Sequence, residues 1–346
     1  MGRRVLVTGL ATFWGGRVAE ALEASDDVDV IIGLDTKEPT VALERTEFVR
    51  TDENYSLLTR MVRAAEIDTI IHTFLVVDST QMSSRQVHEI NVIGTLNLFA
   101  AAAAPGSTVR EVVVKSSSLV YGASREDPVW FAEDTRRKAP LHTRVERSLV
   151  EVEGYVRDFA RDNPHVTVSL LRFSNVLGPD IRTPLAKVLQ MPMVPSVFGF
   201  DPRCQFVHED DVIRSMQFVL QQKLAGIYNV AGDGLLPWSE VAKICGKRTI
   251  PLPPFGANLA AAPLRRLGRD LPPELIDLLK FGRGLDNRRL KEAGFSYRYT
   301  SAGAVQAFVE ADRLRRAVGD HEPSYTYQED VEQFFRHSPA VVRHQD

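Results

Sequence analysis

Cysteine is almost absent from this chain: Cys204 and Cys245 are the only two in 346 residues, and they lie far apart. Two such residues build neither a disulfide framework nor a spaced ligand set, so no metal site is expected and a reducing, cytoplasmic compartment fits. Long apolar runs are missing too. No stretch approaches the roughly 18 apolar residues of a membrane span, and Ala100–Ala104 reads only as an alanine-rich helix segment. Met1-Gly-Arg-Arg leads straight into an apolar strand, so no secretory leader is expected. Neither sign of charge dominates. The formal net charge is −3, from 42 basic and 45 acidic side chains, which argues against nucleic-acid and membrane partners. Arg136-Arg137-Lys138 and Arg265-Arg266 read as solvated surface. There is no internal repeat and no low-complexity linker.

What is present is alternation. Val5–Val7, Val30–Leu34, Asp68–Thr73, Val112–Val114 and Val166–Leu171 read as strands. Helical periodicity follows Gly15 and covers Tyr55–Ala65, Asn91–Ala104 and Ser148–Arg161. Repeated βα units imply a doubly wound parallel sheet with helices on both faces, and ligands at the carboxyl ends of its strands. After about residue 175 prolines cluster and the elements shorten. The expected organisation is a Rossmann-type α/β core over residues 1–175, with segments around 203–232 returning to it. A smaller α/β substrate lobe spans 176–325, and a tail follows over 326–346.

The first strand runs into a turn flanked by Gly9 and Gly15, with Thr12, Phe13 and Trp14 between them. Strand, tight turn and helix N-terminus in that order suit a pyrophosphate, because free N–H groups and the positive helix end point at the anion. Asp35 ends the next strand, where a carboxylate accepts hydrogen bonds from the adenosine ribose and repels a 2′-phosphate. The chain therefore announces a dinucleotide, NAD, early. Thr12 stands where the fingerprint has its middle glycine.

Further motifs fall in one order: Asp52 after the third apolar run, Ile71-His72-Thr73, Asn91-Val-Ile-Gly94, and Ser116-Ser117-Ser118-Leu-Val-Tyr121-Gly122. Then come Arg172-Phe-Ser-Asn175, Phe206-Val207-His208-Glu-Asp-Asp211 and Tyr228-Asn229-Val230-Ala-Gly232. Over roughly residues 3–300 the sequence resembles the extended short-chain dehydrogenase/reductases. Within them it is similar to the nucleotide-sugar epimerase/dehydratase group and looks closest to a UDP-glucose 4-epimerase-like branch. The resemblance implies that Gly9 and Gly15 face the pyrophosphate, Asp35 the ribose and Asp52 the adenine edge. It implies that His72, Thr73 and Phe74 line the dinucleotide cleft and that Asn91 supports the site. Ser117, five residues before Gly122, takes the position of the family's substrate-bonding hydroxyl, with Ser118 beside it and Asn175 on the substrate. A hydroxyl there holds the oxygen next to the reacting carbon.

The same resemblance calls for Tyr-x-x-x-Lys on the following helix, the tyrosine as acid/base and the lysine on the nicotinamide ribose. The segment reads Leu141-His142-Thr143-Arg144-Val-Glu146-Arg147, without a tyrosine. One register puts Thr143 and Arg147 at those positions; a shift by one puts His142 and Glu146 there. Thr143 hardly ionises, Arg147 keeps the charge and could bind the ribose, and His142 could exchange a proton near neutral pH. Tyr121 and Tyr155 are alternative phenols. The family's substrate arginine is replaced by Cys204, with Arg203 one residue earlier. The expectation is an NAD-dependent oxidoreductase or isomerase of the epimerase/dehydratase type. It would act on an alcohol or carbonyl carbon of a small molecule, with an altered proton relay. The alternative is an NAD-binding sensor without turnover. The resemblance also implies a homodimer through the helices carrying Asn91 and Ser148.

Overall fold

The structure, a computed structural model, describes residues 2–51, 54–78, 82–254 and 273–318. Asp52 and the tail 326–346 lie outside the described residues.

β1 (Arg3–Thr8) leads through the glycine turn into α1 (Phe13–Glu23) and returns as β2 (Val28–Asp35) and β3 (Thr46–Arg50). α2 (Tyr55–Ala64) then carries the chain across β1 to β4 (Thr69–His72), and β5 (Glu111–Ser117) and β6 (Thr167–Phe173) follow outward. Three short strands, β7 (Asn175–Leu177), β8 (Met193–Val197) and β9 (Arg203–Cys204), precede β10 (Phe206–His208), and β11 (Gly226–Val230) rejoins the sheet. The order β11-β6-β5-β4-β1-β2-β3 is parallel throughout. Strand succession reverses direction between β1 and β4, which opens a crevice at their carboxyl ends.

Side chains alternate across this sheet, as pleated strands require. Val5, Val7, Ile71 and Val113 pack with Val18 and Leu22 of α1 and with Val212 and Val219 of α7 (Glu209–Gln221). Leu6, Ile70, Val112 and Val114 pack on the other face with Leu58, Leu98 and Val152. A third cluster, including Leu185, Trp238, Leu279 and Phe308, holds the lobe. Its strand pairs are β7 with β10, β8 with β13 (Arg248–Leu252) and β9 with β12 (Leu236–Pro237).

The helix expected over Asn91–Ala104 is broken. α3 (Ser84–His88) passes into a π-helical turn over Glu89–Gly94 before α4 (Thr95–Ala102) resumes. The wider turn accommodates Asn91, whose Oδ1 accepts from Val76 N at 2.7 Å and whose Nδ2 donates to Val76 O and Ser148 Oγ, both at 2.9 Å. The helix carrying Ser148 is longer than its periodicity suggests. α5 runs Arg144–Asp162 because Thr143 and Glu146 form a capping box at its start. Among the described residues no helix is long and apolar enough to cross a membrane.

Candidate active site

The first strand end is built around close backbone approach. Gly9 has φ +74°, and a Cβ there would lie 2.7 Å from Phe74 Cβ; a Cβ on Gly15 would lie 2.0 Å from Gly9 O. Thr12 has φ −77°, so its position needs no glycine. Its hydroxyl donates to Gly9 O at 2.6 Å and accepts from Gly15 N at 3.2 Å, which makes it the N-cap of α1. First-turn amides have no acceptor within their own helix. Thr12 takes that of Gly15.

Asp35 closes the same turn from β2. Its Oδ2 accepts from Ala11 N at 2.9 Å, and its Oδ1 from Thr36 N at 2.7 Å and Lys37 N at 3.2 Å. Burial raises its pKa and these donors pull it back. Oδ2 keeps a lone pair for another donor. Across β1, Thr73 Oγ1 donates to Thr8 O at 2.7 Å.

His72 is wholly buried and wholly engaged. Thr95 Oγ1 donates to Asn91 O at 2.5 Å, so it accepts from His72 Nε2–H at 3.0 Å. Nδ1 then accepts from Thr8 Oγ1 at 2.7 Å. Burial first, and the charge of Lys115 second, push the His72 pKa down to about 3. This ring is a neutral bracket between β1, β4 and α4.

A cavity opens above the carboxyl ends of β5 and β6. Trp14 and Phe173 stack along one wall, ring centroids 6.3 Å apart. Leu185, Leu275 and Leu278 of the lobe form another. Ser117, Ser118 and Asn175 line it. Ser117 Oγ accepts from Leu119 N at 3.3 Å, and Asn175 Nδ2 donates to Gln205 O at 2.9 Å. Cations that the sequence reading did not single out, Arg283, Lys115 and Arg182, line it as well. Arg283 donates to Gly122 O at 2.6 Å and to Ser118 Oγ at 3.3 Å, and burial lowers its pKa to about 10. Lys115 donates to Leu75 O at 3.5 Å with Nζ 5.8 Å from the Trp14 ring centroid; burial lowers its pKa to about 8.

The expected proton carriers stand elsewhere. His142 and Arg147 are exposed and Thr143 is the cap of α5; none of the three lines the cavity. Arg147 donates to Leu141 O at 3.3 Å. Tyr121 lies under a polar network. Its hydroxyl donates to Asn229 Oδ1 at 2.8 Å and accepts from Arg172 Nη1 at 2.7 Å, and burial raises its pKa to about 12. Tyr155 packs against the core beside α5, its hydroxyl donates to Glu151 Oε1 at 3.0 Å, and it does not line the cavity. Arg203 points to solvent while Cys204, its neighbour in β9, is buried.

Residues 5–231 match the NAD dependent epimerase/dehydratase family. This chain belongs to that family. An uncharacterized protein of Mycobacterium bovis is 33% identical over 325 residues, 92% of this chain and 86% of that one. A UDP-glucose 4-epimerase of Erwinia amylovora is 30% identical over 189 residues, 50% of this chain and 53% of that one. Among solved structures, MoeE5 in complex with UDP-glucose and NAD matches with a TM-score of 0.69 at 22% identity, covering 91% of this chain and 100% of that one. UDP-glucose 4-epimerase of Thermotoga maritima matches with a TM-score of 0.68 at 18% identity, covering 91% and 99%. Matches at such identities carry the epimerase/dehydratase fold and leave the chemistry to the side chains. Lys115 did leave a trace in the sequence: a lysine directly follows the run Val112-Val113-Val114 in a strand that repeated βα units bury on both faces. Arg283 left none, since its position depends on how the lobe folds back.

Proposed function

We propose that this chain is an NAD-dependent oxidoreductase or isomerase acting on an alcohol or carbonyl carbon of a small molecule, with nucleotide sugars the first class to try. One observation carries the reading. The glycine turn, Asp35 and the Lys115–Ser117 strand end all stand at the carboxyl edge of one parallel sheet, around the point where strand order reverses.

The dinucleotide implied by the family suits the groups present. The α1 N-terminus would take the pyrophosphate, and the open lone pair of Asp35 the adenosine ribose. His72, Thr73 and Phe74 shape the floor between them, and Asn91 braces it through Val76. Bound there, the nicotinamide supplies a two-electron acceptor. The protein then has to orient the substrate oxygen, exclude water and move one proton. Ser117 Oγ donates a hydrogen bond to that oxygen, with Asn175 and Ser118 holding the rest of the molecule.

Calorimetry on ligand-stripped protein tests the cofactor. NAD should bind at least about tenfold more tightly than NADP, because a 2′-phosphate would set a second anion against a buried carboxylate. Asp35→Ala should narrow that ratio. No heat with either coenzyme would remove the proposal, and equal affinities would remove its choice of NAD.

A second reading, a dinucleotide sensor without turnover, has one observation in its favour: no side chain at the start of α5 reaches the cavity. Tight NAD binding with no conversion across a panel of nucleotide sugars, unchanged by Ser117→Ala, would favour it. A homodimer through the helical segments carrying Asn91 and Ser148 belongs to the main reading. Ile93, beside Asn91, is 43% exposed there, and light scattering reads the assembly directly.

A further inference from the structure

The cleft contains a buried amine whose one hydrogen-bond acceptor among the described residues, Leu75 O, lies at the 3.5 Å limit. Lys115 is 4% exposed in the last turn of pleat before Ser117. Residues two apart on a strand share a face. Lys115 and Ser117 therefore project to the side where Val113 meets α1, and Ser116 projects to the other, where its hydroxyl donates to Glu153 of α5 at 2.7 Å. Both Lys115 and Ser117 line the cavity. An ammonium taken out of water without need is costly, and a lysine filling space could be replaced by any aliphatic chain.

We propose that Lys115 is the proton-transfer group of this site, delivering from β5 what the start of α5 does not. This rests on the dinucleotide reading above. In the alcohol-to-carbonyl direction the neutral Lys115 amine takes the hydroxyl proton while Ser117 holds the oxygen. The C–H electron pair leaves with its hydrogen as hydride to an oxidised nicotinamide. A carbonyl, a reduced nicotinamide and an ammonium result, and the reverse direction returns the proton. With its pKa lowered to about 8, roughly a tenth of the amine is neutral at pH 7.

The charged side chains that line the cavity with Lys115 come from several elements. His72 behind β4 is neutral. Asp78 follows β4, Arg182 precedes α6 (Pro184–Gln190), and Glu274 and Arg283 come from the lobe. Burial is the cause that lowers the Lys115 pKa, so its proton affinity should respond to any charge bound in front of it.

The test follows the Lys115 amine by NMR in full-length protein carrying isotope-labelled lysine. Its resonance is the one lost in Lys115→Met, or in Lys115→Arg if the first variant does not fold. In the free protein the midpoint is expected near 8. The oxidised nicotinamide ring is cationic and the reduced ring neutral. Saturating NAD should therefore weaken proton binding at Lys115 about tenfold relative to saturating NADH. A lysine that merely plugs the core would titrate alike in both complexes, and equal midpoints overturn the proposal. Absence of binding by both coenzymes overturns the dinucleotide reading beneath it, a different result from binding with equal midpoints.

Discussion

His72 illustrates how a residue in a cofactor cleft can be purely architectural, and the difference is measurable. Its folded pKa near 3 lies well below the ordinary 6.5. Between those values the unfolded chain holds the proton and the folded chain does not, so stability rises with pH across that window and falls as acid is added. The slope is about 1.4 kcal/mol per pH unit. Glu209 works the other way. Its carboxyl accepts from Asp180 N and Ile181 N, and burial raises its pKa to about 7. The folded chain keeps that proton up to pH 7, so this contribution weakens as pH rises above the ordinary carboxylate range. Urea titrations at pH 5 and pH 7 should show a shallower acid loss in His72→Gln than in the parent; an unchanged loss would mean the ring is not held neutral. At this scale the sequence was legible where backbone demands a residue type. Gly9 and Gly15 approach other backbone too closely for a side chain, and Asp35 sits at a strand end. It was less legible where the face decides: adjacent Lys115 and Ser116 must point opposite ways, but which of them meets the α1 side depends on how β5 is placed in the sheet.

Elements show the same divide. The strands stand where apolar runs place them, because a strand covered on both faces has little freedom in composition. Helix boundaries depended on side chains whose partners lie far off in sequence. Asn91 forces its π turn by bonding Val76 and Ser148, contacts no local window contains. The start of α5 is instead local: Thr143 Oγ1 accepts from Glu146 N at 3.1 Å and Glu146 Oε2 accepts from Thr143 N at 3.3 Å. Thr143→Ala should cost about 1 kcal/mol of stability, as cap deletions do, while leaving NAD affinity within about twofold, since the residue lies off the cavity. Chemical denaturation and calorimetry on the same preparation separate the two effects. A large drop in coenzyme binding with intact stability would return Thr143 to the site.

Across the whole molecule the polar network under β5, β6 and β11 ties the sheet to the 131–133 segment and the lobe. Arg172 pairs with Glu153 at 2.6 Å and bonds Glu133 O at 2.8 Å, while Asn229 Nδ2 bonds Phe131 O at 2.8 Å. Tyr121 joins Arg172 to Asn229. Removing its hydroxyl leaves two buried polar groups short of a partner, so Tyr121→Phe should lower stability by about 1–3 kcal/mol in a single cooperative thermal transition. Separate melting of core and lobe would contradict that coupling. The lobe itself was the least legible part of the chain, because its pairs join distant strands: β8 with β13 and β9 with β12. The cap of α5 has a last consequence. In the register that sets Thr143 at the family's tyrosine, installing a phenol by Thr143→Tyr would strip the hook on which that helix begins, so the reactive group and its scaffold compete for one codon. Regaining the commoner chemistry would take at least two coordinated substitutions, and the first alone would be penalised.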